Sequence, residues 1–514
     1  MIQRSKTGIS QVIFSSSLGT LIEWYDFYIF GMLAKTISAQ FFPEGNDTAA
    51  LLSTLAIFAA GFIVRPFGAL VFGRLGDVIG RKSTFLLTLV LMGTSTFLIG
   101  LVPGYKTIGM AAPLLVLLLR LIQGLALGGE YGGAATYVAE HAPAGKRGYY
   151  TSWIQTTATL GLFVALGVIM AVKSNMSEAS FTAEWGGWRY PFWISILLVG
   201  VSVYIRLKMK ESPLFSKLKA ENKTSANPLK ESFGHKANFK MVLLALFGAV
   251  MGQGVIWYTG QFYAQSFLEN SVKLEFMQNR EILLWAIALG TPFFVLFGWL
   301  SDRLGRKWIM LTGMLLGVLF YRPIFSTMLE DADVKKQLAG QVNFISQQTK
   351  VTQYNGDSVL HITAHYKTDN GILFSSVLTD TLKKQRDFLK EPQQVIAANK
   401  NMLFTDKQLP TALKWKFVLL IWVMIVFVTM VYGPVAAFLV ELFPTKIRYT
   451  SMSLPYHIGN GVFGGLVPFI ATLLSASFTT DPLVGLWYPI GVAALCFVIG
   501  ALYLNNTIDK NVND

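Results

Sequence analysis

Apolar runs of about 20 residues, the length at which a helix crosses the hydrocarbon core of a bilayer, recur along this chain with short polar connections between them. Twelve can be placed, at about 14–37, 51–73, 83–102, 111–138, 150–172, 190–208, 240–265, 281–300, 308–329, 415–440, 453–477 and 485–504. An even number of spans puts both termini on one side. The rhythm is interrupted twice. A basic polar stretch from Arg206 to Lys240 separates the first six runs from the last six, and a longer polar stretch, about 330–412, separates the ninth from the tenth.

The two sets of six echo each other. GRLGDVIGRK at 73–82 returns as GWLSDRLGRK at 298–307, matching Gly73 with Gly298, Asp77 with Asp302, Arg81 with Arg306 and Lys82 with Lys307. One short charged turn is an ordinary topology marker, whereas two at corresponding places indicate duplicated halves, a common construction in transporters. A second echo, VAEHAP at 138–143 and VELFP at 440–444, aligns Glu140 with Glu441. The first echo is offset by 225 residues and the second by 301, so 76 residues entered the second half between the two markers. The expected organisation is a first six-helix half (1–208), a linker (209–239), a second half in two pieces (240–329 and 413–514) and an insertion (330–412). Inside the insertion, Asn355-Gly356 and Asn370-Gly371 are turn signals next to alternating segments, and Thr379 to Lys400 reads as a polar helix broken by Pro392. A small α/β cap is expected, with an unstructured loop as the alternative. His361 and His365 fall on a strand pattern where they are poor joint ligands, so no metal is expected.

Composition agrees with the run pattern. At 53% hydrophobic and 14% charged, with a mean hydropathy of +0.48, the chain belongs in a bilayer. Its net charge of +14 raises nucleic acid as a partner, and the placement of the charge decides against it. Arg4, Lys6, Arg74, Arg81, Lys82, Lys146, Arg147, Arg303, Arg306, Lys307, Lys446 and Arg448 all fall on one side, with the basic linker. The opposite short loops hold Lys35, Lys106, Lys173, Arg189, Lys273 and Arg280. This positive-inside pattern expects a plasma-membrane protein with both termini cytoplasmic and the insertion outside. Glu23 and Asp26 within the first run, and no small-residue cleavage site, mark a span rather than a removable signal peptide. The single cysteine, Cys496, excludes an intrachain disulfide. No nucleotide loop or nucleophile–base pair is present, which argues against an ATP-driven pump, an enzyme and any cofactor.

Ionisable residues inside spans are expensive, so each is a functional candidate. Five stand well inside, all in the first half: Glu23 and Asp26 in the first run, Arg65 in the second, Arg120 and Glu130 in the fourth. Glu23 and Asp26, three apart, share a helix face, and adjacent carboxylates resist simultaneous ionisation, as a proton carrier requires. Helical rise puts Arg65, Glu23, Asp26 and Glu130 at similar depths of ~12–18 Å, with Arg120 further out. The alternative is a fixed set of ion pairs joining these helices. In the seventh run Trp257-Tyr258 echoes Trp24-Tyr25, but Ile256 and Thr259 stand where the first run has Glu23 and Asp26. Proton coupling is therefore expected in the first half, through Asp26, Glu23, Arg120, Arg65 and Glu130. Solute contacts are expected from both halves, through Tyr25, Arg120, Gln123, Trp257, Tyr258 and Gln261. Tyr456, His457 and Asn460 form a further polar cluster, in the cavity or in helix-end packing. The glycines at 124–133 read as helix packing.

The paired G-x-L-x-D-x-x-G-R-K loops resemble the signature of the major facilitator superfamily. More narrowly, IEWYDFYIFG (22–31), RLIQGLALGGEYGGAATYVAEHAP (120–143), RGYYTSWIQTTATLG (147–161), KESPLF (210–215) and VYGPVAAFLVELFPTKIRYTSMSLPYHIGNG (431–461) resemble its metabolite:proton symporter family, across both halves. The resemblance implies an all-α membrane fold of twelve transmembrane helices in two six-helix pseudo-repeats, here with the α/β insertion between helices 9 and 10. It implies proton-coupled import of a small carboxylate or zwitterion by alternating access. It implies that Gly73, Asp77, Arg81 and Lys82, with Gly298, Asp302, Arg306 and Lys307, latch the cytoplasmic side, and that Arg120 couples to acidic groups of helix 1. A monomer is expected, with the solute, protons and lipid as its partners. A proton-independent facilitator and a solute sensor remain as other functions, and the insertion departs from the family pattern.

Overall fold

The structure, a computed structural model, describes residues 9–79, 81–129, 131–143, 145–208, 230, 233–334, 342–354, 357–381, 403–443, 448–478 and 480–506. Glu130 and most of the linker lie outside the described residues, as do the side chains of Glu23, Gly73, Asp77, Arg81, Lys82 and His361. The first half contains α1 (Ile9–Met32), α2 (Ala34–Phe41), α3 (Asp47–Ile63), α4 (Arg65–Ile79), α5 (Arg81–Ile99), α6 (Tyr105–Ile108), α7 (Ala111–Gly128), α8 (Tyr131–His141), α9 (Arg147–Ser174), α10 (Glu178–Thr182) and α11 (Tyr190–Lys208). The remainder contains α12 (Lys236–Ala245), α13 (Met251–Tyr258), α14 (Ala264–Asn270), α15 (Phe276–Gly290), α16 (Pro292–Leu304), α17 (Arg306–Asp331), α18 (Thr411–Tyr432), α19 (Val435–Leu442), α20 (Arg448–His457), α21 (Val467–Ser477) and α22 (Trp487–Tyr503). Counted across short breaks, nine helices among the described residues are long and apolar enough to cross a membrane, and Leu86–Ile99 is a shorter apolar helix.

Several runs expected to be continuous are broken, and the interrupting residues explain it. The second run turns at Val64 ahead of Pro66, the eighth at Thr291 ahead of Pro292, and the tenth at Gly433-Pro434. Proline withholds a backbone donor and crowds the preceding turn. The seventh run carries π-helical turns at Leu246–Val250 and Thr259–Tyr263, and the eleventh at Ile458–Gly464. Such turns are rare and collect at functional sites.

The chain forms two compact units, one of residues 1–263, 287–321 and 422–514, the other of 264–286 and 322–421. In the larger unit the second and fourth runs meet at glycines. A Cβ on Gly124 would stand 1.8 Å from Gly61 O, and one on Gly68 2.0 Å from Leu125 O. Helices in lipid associate through such small-residue contacts, and this one sets Arg65 and Arg120 on neighbouring turns.

Elsewhere in the same unit, the Glu184 carboxylate accepts from Thr107 Oγ1 (2.6 Å) and Gly104 N (2.8 Å) at the start of α6. The Thr107 hydroxyl, then the Gly104 amide, hold that carboxyl below the usual carboxylate range. A depressed folded pKa stabilises above the unfolded value and loses that contribution as pH falls through the folded one. Amide exchange at 104–108 should therefore accelerate only below about pH 4, and Glu184→Gln should exchange fast at every pH.

The smaller unit holds one antiparallel sheet in the order β1 (Val342–Tyr354), β2 (Asp357–Thr368), β3 (Leu373–Thr381), β4 (Leu403–Gln408). Tyr354 pairs with Asp357 at the end of the β1–β2 ladder, with Asn355-Gly356 outside the described residues, and Asn370-Gly371 lies in the connection between β2 and β3. The polar helix expected from Thr379 is corrected at its start. Thr379 pairs with His361 in the β2–β3 ladder and the strand runs on to Thr381, while 382–402 lie outside the described residues. Within this unit β4 is stitched to the segment before α15. The Lys407 amide donates to Lys273 O, Lys407 O accepts from Glu275 N, and the Gln278 side chain bonds both ways with the Leu409 main chain.

Candidate functional site

Two guanidiniums share one aromatic ring. Arg65 Cζ lies 4.4 Å and Arg120 Cζ 4.3 Å from the Phe27 centroid. Arg65 also packs over Phe62 (4.2 Å) and Trp24 (5.5 Å), and Arg120 over Phe30 (4.6 Å) and Phe58 (4.9 Å). Both are fully buried, and among the described residues neither forms an ion pair. Ring faces offset part of each charge.

The expected approach of Arg120 to Asp26 is not made. Arg120 Nη1 donates to Gln123 Oε1 (2.7 Å), and Gln123 Nε2 donates to Thr96 Oγ1 (2.5 Å). Asp26 is 1% exposed and both its carboxylate oxygens lack a hydrogen-bond partner within the protein. The Thr96 hydroxyl itself donates to Met92 O at 3.0 Å. Successive side chains on a helix diverge by about 100°, so the arginines that hold the Phe27 side of α1 do not also hold Asp26.

The seventh run supplies another wall. Trp257 packs on Trp24 (5.8 Å) and Tyr28 (5.7 Å), and Tyr258 meets the edge of Phe62 at 5.0 Å with its hydroxyl facing both arginines. Arg65 Nε and Nη2, Arg120 Nε, Trp257 Nε1, the Tyr28 and Tyr258 hydroxyls, both amide atoms of Gln261 and both ring nitrogens of His457 are buried without a partner within the protein. Each costs about 1–3 kcal/mol if never satisfied. Buried polar atoms left in this state inside apolar runs are functional candidates rather than ordinary packing.

Two expected contacts are occupied otherwise. The Tyr25 hydroxyl donates to Pro191 O at 2.9 Å, and both ends of the Gln123 amide are taken by Arg120 and Thr96. Glu23 and Glu130 cannot be placed, since the side chain of the first and the whole of the second lie outside the described residues. In the polar cluster of the eleventh run, Asn460 pairs amide to amide with Gln253 (3.0 and 2.8 Å). Tyr456 stacks on Tyr131 (3.5 Å between centroids) and its hydroxyl lies 2.8 Å from that of Tyr432. Tyr28, Thr96, Tyr131 and Tyr432 went unmarked in the sequence because an uncharged side chain in an apolar run gives little signal. The four-residue spacing of Tyr28 from Trp24 was the available clue.

The second decapeptide reaches the first half. Asp302 accepts from the main-chain N–H groups of Gly148 and Tyr149, 2.8 Å each, in the first turn of α9. It also pairs with Arg306 (2.7 Å), which pairs with Glu441 (2.9 Å) and donates to Ser301 Oγ (2.7 Å). A carboxylate suits the donor-rich, positive end of a helix. A Cβ on Gly298 would stand 2.6 Å from Gly148 O, and one on Gly148 2.4 Å from Gly298 O, so both glycines permit the approach. Lys307 instead turns back within the second half, donating to Ala501 O (2.8 Å) and Leu504 O (2.7 Å) at the end of α22. Asp302→Ala should slow transport turnover about tenfold, from ~1–2 kcal/mol of lost capping, with equilibrium solute affinity within about twofold. An equal loss of affinity would move Asp302 into the solute site.

The chain is similar to known transporters in sequence and fold. A family model described as "Sugar (and other) transporter" matches residues 12–342. The inner membrane metabolite transport protein YhjE of Escherichia coli K12 is 31% identical over 474 residues, 91% of this chain and 88% of the relative. The alpha-ketoglutarate permease of that organism is 37% identical over 316 residues, 62% of this chain and 71% of the relative. Its proline/betaine transporter is 35% identical over 318 residues, 59% of this chain and 62% of the relative. Among solved structures, the proton:xylose symporter XylE bound to 6-bromo-6-deoxy-D-glucose shares the fold, with TM-score 0.65 at 15% identity and 96% and 95% of the two chains covered. The molecule is a membrane-embedded, multi-pass metabolite transporter and not an enzyme. It belongs to the sugar (and other) transporter family of the major facilitator superfamily.

Proposed function

We propose that this transporter is a proton-coupled symporter importing a small organic acid or zwitterion across the plasma membrane by alternating access. Twelve spans carry it, with both termini cytoplasmic and the sheet as an extracytoplasmic insertion. One observation supports this reading above the rest: two buried guanidiniums without a carboxylate partner, on the same ring, near a buried carboxylate without a hydrogen-bond donor. A solute carboxylate would satisfy the free N–H groups of Arg65 and Arg120 and cancel their mutual repulsion. Alpha-ketoglutarate, proline and betaine, named in the relatives, all carry a carboxylate. Trp257, Tyr258 and Tyr28 orient the rest of the solute, Asp26 carries the proton, and the Asp302 latch opens for release inside.

The test uses proteoliposomes, labelled 2-oxoglutarate or glycine betaine, and an imposed pH gradient, inside alkaline. Accumulation above the external concentration should occur with the gradient and not without it. Equal uptake in both conditions would indicate a facilitator, and binding without flux a sensor.

A further inference from the structure

The polar cluster of the eleventh run is satisfied within itself except at one member. Asn460 exchanges both ends of its amide with Gln253, and the Tyr456 hydroxyl lies on that of Tyr432. His457 is buried, and neither of its ring nitrogens has a partner among the described residues. The Tyr456 ring stands nearly perpendicular to it at 5.3 Å between centroids, with its hydroxyl already committed.

His457 closes α20, which packs along α4, the helix that opens with Arg65. Beyond it, Gly461 and Gly465 both lie against Phe62, so they share one side of the run. A Cβ on Gly461 would stand 3.6 Å from Arg65 Cδ, and one on Gly464 2.6 Å from Tyr258 Cδ2. Residues four apart on a helix share a face, which sets His457 one turn, about 6 Å, from the point where Gly461 meets Arg65. The glycines bring the run against the arginine, and His457 is the side chain that the same face carries beside it.

Most of the unpartnered atoms around the arginines are donors, which a solute carboxylate serves. Two are acceptors. A second cation beside the unpaired Arg65 guanidinium would be repelled, so the imidazole is neutral and one of its nitrogens is a lone pair. Gln261, fully buried one turn beyond Trp257, leaves its amide oxygen open as well. A carboxylate has no proton to give these atoms, and a quaternary ammonium has none either. A protonated ammonium could donate, but it would stand among two unpaired guanidiniums. A hydroxyl donates without adding charge.

We infer that His457 is a specificity residue that accepts a hydrogen bond from a hydroxyl of the solute, and that the solute is a hydroxy acid. Its carboxylate lies on Arg65 and Arg120, and Gln261 Oε1 is the second acceptor open to a hydroxyl. The inference rests on the two arginines holding a solute carboxylate.

The test is calorimetric binding to the purified full chain, with three pairs of acids that differ in hydroxylation: lactate and propionate, malate and succinate, gluconate and hexanoate. Glycine betaine is run alongside. In at least one pair the hydroxylated acid should bind about tenfold more tightly, the worth of one buried hydrogen-bonding group. His457→Phe keeps the ring and removes its nitrogens; it should cut that preference to about twofold and leave the deoxy acid within about threefold of its original affinity. His457→Gln, which keeps a neutral acceptor, should retain part of the preference, and His457→Leu serves if the phenylalanine variant does not fold. A loss shared equally by both members of the pair would make His457 a structural residue and overturn the inference. Equal binding of both members of every pair by the unaltered protein, or tighter binding of glycine betaine than of any hydroxy acid, would overturn it while leaving the arginine site standing. If no acid binds, or binding survives Arg65→Gln undiminished, the carboxylate site itself fails and the inference with it.

Discussion

Asp26→Asn should abolish proton-driven accumulation while leaving solute exchange within about tenfold of the unaltered protein. The amide keeps the shape of a protonated carboxyl and cannot ionise, so the variant is fixed in one charge state. One proton per solute and a gradient of about 2 pH units can sustain roughly a hundredfold accumulation, tenfold per unit. The variant should equilibrate to a ratio of one. Exchange needs only the loaded carrier to reorient, and Asp26 makes no protein hydrogen bond whose loss would disturb that step. Unchanged pH-dependent accumulation in this variant would remove Asp26 from the mechanism.

Arg65→Gln should weaken solute binding about a hundredfold and at the same time raise the melting temperature of the empty protein. Arg65 is the more consequential arginine because both Nε and Nη2 lack partners, whereas Arg120 already gives Nη1 to Gln123. Losing one buried, hydrogen-bonded charge pair costs about 2–5 kcal/mol in binding. In the empty protein the same change removes one of two neighbouring buried cations, and replacing an unpaired buried charge is stabilising. Arg65→Lys keeps the charge but loses the fork, and should recover only part of the affinity. Calorimetry and thermal unfolding of the same sample read both effects, and a fall in both quantities would mark Arg65 as a structural cation instead.

The helices were legible in the runs because bilayer thickness imposes their length, and nine helices among the described residues are long and apolar enough to cross a membrane. Their breaks were legible only in part. Pro66, Pro292 and Pro434 stand in the sequence, but the π-turns at Thr259–Tyr263 and Ile458–Gly464 have no comparable mark. The sheet was announced by its turns, whereas Thr379 was misread because alternation and polar helix patterns overlap in short stretches. In the site, Arg65, Arg120 and Asp26 were conspicuous for their rarity in apolar surroundings. Which of them meet depends on helix rotation, which a one-dimensional pattern does not carry, so the sharing of Phe27 and the diversion of Gln123 to Thr96 emerged only in three dimensions. The two echoes found by alignment turned out to be partners in space, since Arg306 of one binds Glu441 of the other.

Toward the first half, Asp302 is held by the peptide N–H groups of Gly148 and Tyr149, while its side-chain partner, Arg306, stands on its own side. The far half of this latch is therefore unwritten in the residue alphabet. Position 149 can change to almost any residue without altering the bond, so covariation among sequences would pass over the contact, and a saturation scan should find one intolerable replacement there, proline.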